Sequence, residues 1–156
     1  MNFPALFLLG ASLAAAHPAA DPYTRQPGID AIHYAFQLAL NDSTDQIEGT
    51  ATVTVRFVQR GTTSFWLDLA SQADGKGMTV TDVTSAGVPV PFEHRGDRLR
   101  ITPASAPTAN AQQLFVIRYR GVPMSGLFIG KNKFGERVFM GLNWPDRARQ
   151  IGRAHV

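Results

Sequence analysis

Apolar and polar residues alternate along much of this chain, and a period of two predicts β-strands rather than helices. The alternation is clearest over residues 32–40, where every second side chain is apolar: Ile32, Tyr34, Phe36, Leu38 and Leu40. A strand of this kind has one apolar face, which we expect to be half-buried against a core. After the turn-forming residues 41–45, the alternation resumes over residues 50–57 and predicts a second strand, antiparallel to the first.

Six further strands are predicted from alternating or threonine-rich apolar segments bounded by glycine, proline, asparagine and aspartate. They cover residues 65–69, 78–83, 88–93, 98–102, 113–119 and 137–140. Pro89 and Pro91 lack a backbone donor, which predicts that residues 88–93 form an edge strand. Residues 113–119 are largely apolar on both faces and are expected at the centre of a sheet. With no helical period after residue 20, the sequence predicts an all-β, antiparallel, sandwich-like or curved sheet domain.

The first 20 residues predict export of the chain. Residues 3–13 form an apolar run without a charge, and Ala14, Ala15 and Ala16 follow as small residues of the type that signal peptidase cleaves. We expect a signal peptide at residues 1–16, with cleavage after Ala20 as the second choice and a start codon upstream of Met1 left open. A buried or membrane-spanning helix is the alternative, but the run is short for a bilayer. The predicted location is periplasmic or extracellular, without a stable membrane anchor, and residues 17–28 form an extended leader.

Composition is that of one globular domain and excludes some kinds of site. Of the 156 residues, 44% are apolar and 17% are charged, and the net charge of +3 comes from scattered basic residues. We therefore expect no nucleic-acid partner. The chain has no cysteine, which excludes disulfides and thiolate metal sites within it. The four histidines at positions 17, 33, 94 and 155 are too far apart for the paired ligands of an H-E-x-x-H helix, so no zinc bound by this chain is expected.

Two local features have both a functional and a structural interpretation. Arg95-Gly96-Asp97 matches the integrin-binding tripeptide, but a glycine at a hairpin turn explains the same residues more simply. Trp66 lies in a predicted strand, where a tryptophan more often packs than binds a ligand. The sequence contains no nucleophile elbow, phosphate-binding loop or calcium loop, so it gives no basis for predicting catalysis by this chain's own residues.

Taken in order, several of these strands resemble the aminopeptidase N family of zinc metallopeptidases. The matching segments are residues 32–34, 47–53, 67–69, 115–121 and, most specifically, 126–149. The resemblance covers about residues 23–150. It implies a saddle-like N-terminal β domain, here residues 29–150, packed on a zinc domain that removes N-terminal residues from peptides. The zinc ligands and catalytic glutamate of that domain are absent from the sequence.

The resemblance implies that this chain is a fragment, truncated before the closing strands of its β domain and inactive alone. Its expected partner is the missing catalytic domain, and zinc and peptide substrates belong to the parent enzyme. A free sheet edge and uncovered apolar surface would then make the isolated chain aggregation-prone. The alternative is a secreted, non-catalytic β-sandwich module that binds a partner, because the fold alone does not decide function.

Within the resemblance, Leu142 and Trp144 occupy positions where many family members have a glutamine and a glutamate that line the amine pocket. Neither side chain can accept a hydrogen bond from an ammonium group. Trp144 is therefore expected to offer an aromatic face or an apolar wall to the substrate. Residues 151–156 do not resemble the family and match one reading frame of a sequencing-library adapter. We expect a non-native tail there, with a divergent native tail as the alternative.

Overall fold

The computed structural model describes residues 26–141, which form ten β-strands and no helix. The strands are β1 (Ile29–Ala39), β2 (Ile47–Phe57), β3 (Phe65–Asp68), β4 (Gly77–Ser85), β5 (Val88–Pro89), β6 (Phe92–Arg95), β7 (Arg98–Ile101), β8 (Gln112–Val122), β9 (Leu127–Lys131) and β10 (Arg137–Gly141). They form a five-stranded sheet in the order β1-β2-β8-β4-β5, a three-stranded sheet in the order β3-β7-β6, and the β9–β10 pair. All named pairings are antiparallel, which confirms the predicted fold class. Residues 26–141 thus also lack a helix suited to crossing a membrane.

The five-stranded and three-stranded sheets share one apolar core. Phe65 of β3 bridges them, because its ring centroid lies 5.8 Å from that of Phe57 on β2 and 5.0 Å from that of Phe115 on β8. Both ring pairs have the edge-to-face geometry that aromatic side chains prefer. The other large, fully buried side chains lie on the same two sheets: Ile47, Val53, Val55, Leu67, Met78, Val83, Leu99 and Ile101. The architecture is therefore a two-layer β-sandwich.

The β8 strand lies at the centre of the larger sheet, as its sequence predicts, and pairs with β2 on one side and β4 on the other. Its two faces differ in burial, however. Phe115, Ile117 and Tyr119 are buried in the core, whereas Leu114 on the opposite face is 46% exposed. Within residues 26–141, no second layer covers the outer face of the five-stranded sheet. The β8 strand therefore has apolar residues on both faces but is buried on only one of them.

The single edge strand predicted over residues 88–93 is wrong, because the structure divides it between the two layers. The β5 strand ends the five-stranded sheet, and β6 ends the three-stranded sheet. Between them Val90 is 4% exposed and its backbone N–H donates to the carbonyl of Val83 at 2.9 Å. Pro91 has no donor to continue that ladder, so the chain crosses from one layer to the other there. The prediction of edge positions is confirmed for both short strands.

The first strand is confirmed, but its apolar face is largely open instead of half-buried. Ile32, Phe36 and Leu38 are 43%, 36% and 39% exposed, and Tyr34 packs against the core. Among residues 26–141, the β1 strand is the edge of its sheet and pairs with β2 alone. The three-stranded layer covers the middle of the larger sheet, where β2, β8 and β4 place their buried side chains, and leaves most of β1 uncovered.

Candidate functional site

The β9–β10 hairpin leads directly into the segment that carries the predicted pocket residues. The β10 strand ends at Gly141, and Leu142 and Trp144 lie outside the described residues. The turn of the hairpin is organised by Asn132, whose Oδ1 accepts hydrogen bonds from the backbone N–H groups of Phe134 (2.9 Å) and Glu136 (3.0 Å). These side chain to backbone bonds fix the turn and with it the register of the two strands.

A side chain of β10 ties this hairpin to the turn between β1 and β2. Arg137 Nη2 donates to the carbonyl of Thr44 at 2.6 Å and to Oδ1 of Asp45 at 2.5 Å. The Arg137 side chain is only 21% exposed, and its guanidinium lies 5.4 Å from the ring centroid of Phe139. A partly buried, charge-assisted contact of this kind is stronger than an exposed ion pair. We call this contact the Arg137 joint.

An open cleft lies beside the Arg137 joint, between the hairpin and the end of the five-stranded sheet. Its volume is about 380 Å³. Its lining is mainly apolar and includes one acidic residue, one basic residue and one serine: Asp45, Lys76, Val122, Pro123, Met124, Ser125, Gly126, Leu127, Phe128 and Ile129. Such a cleft can hold an apolar side chain.

Ser71, His94 and Asp97 lie close together and superficially resemble a hydrolytic triad. Ser71 Oγ is 3.5 Å from His94 Nε2, but the same nitrogen is 2.9 Å from the carbonyl oxygen of Leu69. A carbonyl oxygen only accepts, so Nε2 must carry the proton and cannot act as the base for Ser71. The cluster instead connects the segment after β3 to the β6–β7 turn.

The Arg95-Gly96-Asp97 tripeptide forms the β6–β7 turn, in agreement with its simpler interpretation. Gly96 and Asp97 have φ angles of 57° and 60°, the left-handed values that a two-residue hairpin turn needs at both central positions. Oδ1 of Asp97 accepts from the backbone N–H of Ser71 at 2.8 Å, and Arg95 pairs with Glu93 at 2.9 Å. Both charged groups of the tripeptide are thus engaged within the domain.

Metal-binding residues are not brought together in the part of the chain that the structure describes. No group of three or more histidine, aspartate or glutamate side chains there is placed to hold a metal ion. His33 is exposed on β1, His94 is bonded as described above, and His17 and His155 lie outside the described residues. The residues present between 26 and 141 therefore do not fit a zinc site.

Comparison with solved structures identifies proteins with this fold. An M1 zinc metallopeptidase from Deinococcus radiodurans matches with a TM-score of 0.53 and 20% identity, over 64% of this chain and 21% of that one. Yeast LTA4 hydrolase in complex with bestatin matches with a TM-score of 0.65 and 19% identity, over 86% of this chain and 23% of that one. The chain shares its fold with part of these two proteins.

A mutant of the Deinococcus radiodurans M1 enzyme gives a similar result, with a TM-score of 0.54 and 23% identity over 65% of this chain. This chain spans about a fifth of the length of the matched structures, 21–23% in these cases. No family model matches the sequence, and a search of curated proteins found no match. The predicted resemblance to zinc metallopeptidases is confirmed at the level of the fold.

Proposed function

We propose that this chain is the N-terminal β domain of an exported zinc aminopeptidase, where it serves as a non-catalytic scaffold beside the catalytic domain. The observation that carries the proposal is the match of this β-sandwich to M1 zinc metallopeptidase structures over 63–69% of the chain and to yeast LTA4 hydrolase over 86%. One of those structures contains a Tyr-Ser-Ala substrate, which is the peptide chemistry we propose for the parent enzyme. The zinc and its ligands belong to the catalytic domain.

The role we propose for the scaffold is to fix the start of the segment that contains Leu142 and Trp144. The Arg137 joint holds the β9–β10 hairpin against the β1–β2 turn, and Leu127 and Ile129 pack against the core. A segment that continues from Gly141 therefore starts from a well-anchored strand. In this proposal Trp144 lines the pocket for the first residue of the peptide, as an apolar wall or an aromatic face for its ammonium group.

The first test is the genomic sequence downstream of codon 150. An H-E-x-x-H motif followed by a second glutamate supports the enzyme. A stop codon or an unrelated domain would contradict it and favour the secreted binding module. Reading the genomic sequence through this point also decides whether residues 151–156 are native.

The second test is kinetic and uses the full-length parent. Trp144→Ala should raise KM for aminoacyl substrates while zinc content stays at the wild-type level, because the residue contacts substrate and not metal. Trp66→Phe is the control, and it should leave KM unchanged. Trp66 lies on β3, where the Arg98 guanidinium is 5.2 Å from its ring centroid, and it has no part in the proposed pocket. Unchanged peptide kinetics in Trp144→Ala would refute the pocket role of this residue.

A further inference from the structure

Among residues 26–141 no strand pairs with the outer edge of β1, and from residue 33 to residue 39 this edge lacks the proline and charged side chains by which proteins usually protect a free sheet edge. Edge strands are commonly protected by proline, by charged side chains or by being very short. The β1 strand has 11 residues, and positions 31–40 contain no proline, lysine, arginine, aspartate or glutamate. In contrast, β5 at the other edge has two residues and contains Pro89, and β6 carries Glu93 and Arg95. The protective features of β1, a bulge between Ala31 and His33 and the charged Asp30, lie before residue 33.

An exposed apolar stripe runs along the same strand, on the face that continues the core. Phe36 and Leu38 are 36% and 39% exposed, and the ring of Tyr34 stacks on that of Phe36 at a centroid distance of 6.0 Å. On the neighbouring β2 strand, Val53 lies opposite Tyr34, Ala51 opposite Phe36 and Gly49 opposite Leu38. A strand added beside β1 could therefore extend both the backbone hydrogen bonding and the apolar face.

From this edge we propose that the chain forms a two-fold symmetric dimer in which β1 pairs antiparallel with β1 of a second copy. The strand is self-complementary when the pairing is centred on Phe36. Phe36 then lies opposite its own copy, and Tyr34 lies opposite Leu38 of the second copy. On the other face Ala35 meets Gln37, and His33 meets Ala39. No like charges meet between residues 33 and 39, and apolar side chains meet apolar side chains.

The size of this contact predicts a weak dimer that closes at two copies. Because β1 ends at Ala39, a pairing centred on Phe36 brings seven residues of each copy, 33–39, into register, which is about a quarter to a third of the 20–30 residues per partner found in interfaces of standard size. We therefore expect dissociation in the micromolar range rather than a permanent dimer. The two-fold pairing uses the same edge of both copies, so it leaves no β1 edge for further growth.

Sedimentation velocity of the purified full chain over a range of micromolar concentrations tests the proposal. Wild type should convert from monomer to dimer, and Phe36→Lys should raise the dissociation constant by roughly tenfold or more because it places two ammonium groups opposite each other. Gln37→Lys is the matched control, with the same charge on the other face of the same strand, and should dimerise. If Phe36→Lys fails to fold by circular dichroism, Leu38→Lys takes its place.

The absence of cysteine allows the register to be tested by crosslinking. In the double variant Ala35→Cys, Gln37→Cys, each thiol faces the other thiol of the second copy, so mild oxidation should give a covalent dimer on a non-reducing gel. The single variant Ala35→Cys places its thiol opposite Gln37 of the second copy and should give no covalent dimer on the same gel. A monomeric wild type, dimers that persist in Phe36→Lys, assembly beyond two copies, or equal crosslinking of both cysteine variants would each overturn the proposal.

Discussion

Gly49 on β2 allows a very close contact between strands of the larger sheet, and replacing it by alanine should destabilise the domain measurably. Gly49 lies opposite Tyr119 of β8, whose ring covers it. A Cβ atom at residue 49 would lie 2.2 Å from Cζ and 2.3 Å from Cε2 of that ring, where ordinary contacts begin at 3.4 Å. The ring would have to move by more than 1 Å, and Tyr119 is only 2% exposed.

Two opposing terms decide the size of the effect. Alanine restricts the unfolded chain more than glycine does, which by itself would stabilise the fold by about 0.5–1 kcal/mol. Overpacking a buried contact costs about 1–3 kcal/mol. Because the ring is buried on all sides and cannot retreat freely, we expect the second term to dominate. The net loss should be about 1–2 kcal/mol in the free energy of unfolding.

Urea unfolding followed by circular dichroism measures this loss, and two backgrounds isolate its cause. With Tyr119→Phe, Cζ and Cε2 of the ring remain and only the contact with the hydroxyl oxygen at 2.5 Å is lost, so Gly49→Ala should still be destabilising. With Tyr119→Leu those atoms are gone, so the same substitution should be neutral or stabilising. The coupling between the two sites should reach about 1 kcal/mol. Equal costs in the phenylalanine and leucine backgrounds, or no loss in the wild type, would refute the steric explanation.

Three further predictions concern individual contacts. Arg137→Met should release the β9–β10 hairpin, measured as faster amide exchange in β9 and β10 with β8 unchanged, while Asp45→Asn keeps an acceptor and should have a smaller effect. Gln26→Leu removes hydrogen bonds of 2.6 and 2.8 Å to the backbone carbonyl and N–H of Trp66, and should lower the unfolding free energy by about 1–3 kcal/mol in urea titrations; an unchanged midpoint would contradict this. Burial raises the pKa of Tyr119 from 10.0 to about 12, so the folded state holds the neutral phenol while the unfolded state ionises near pH 10. Stability should be unaffected by this group below pH 10 and fall by up to about 3 kcal/mol as the pH rises to 12, and Tyr119→Phe should remove that dependence.

The sequence predicts strands well where a strand lies in the middle of a sheet with one face on the core. The β2 and β8 strands are such cases, since their alternation comes from neighbours that stay in register along the whole strand. Burial of β1 could not be predicted in the same way. Its alternation matches that of β2, but whether Phe36 is covered depends on how far the three-stranded layer extends.

The β9 strand was missed altogether, for a related reason. Residues 127–131 contain Gly130 and lie in a segment where glycines recur every few residues, a pattern that predicts a loop. The structure pairs them with β10 in a two-stranded ribbon, where Phe128 covers Gly130: a Cβ there would lie 2.5 Å from Cζ of its ring. A ribbon exposed on one side needs no strict alternation, so the pattern gave no strand signal.

The candidate site could be predicted only in part. Leu142 and Trp144 follow from the resemblance to a family and stay predictions, because they lie outside the described residues. The Arg137 joint connects two residues that are 92 positions apart. The sequence around Arg137 and around Asp45 contains nothing that indicates a partner for either side chain. Long-range ion pairs of this kind depend on topology, which periodicity does not reveal.

The central position of β8 has a consequence for synthesis of the chain. In the five-stranded sheet β2 and β4 both pair with β8, with Val53 of β2 opposite Phe115 and Val83 of β4 opposite Ile117. Until residues 112–122 have left the ribosome, the β1–β2 hairpin cannot pair with β8. Its apolar face therefore stays exposed to water. The β8 strand is synthesised after both strands that it pairs with. Strands that are far apart in the sequence also pair slowly during folding. A nascent chain that stalls before β8 should consequently be a substrate for chaperones and proteases, in contrast to one released just after Val122.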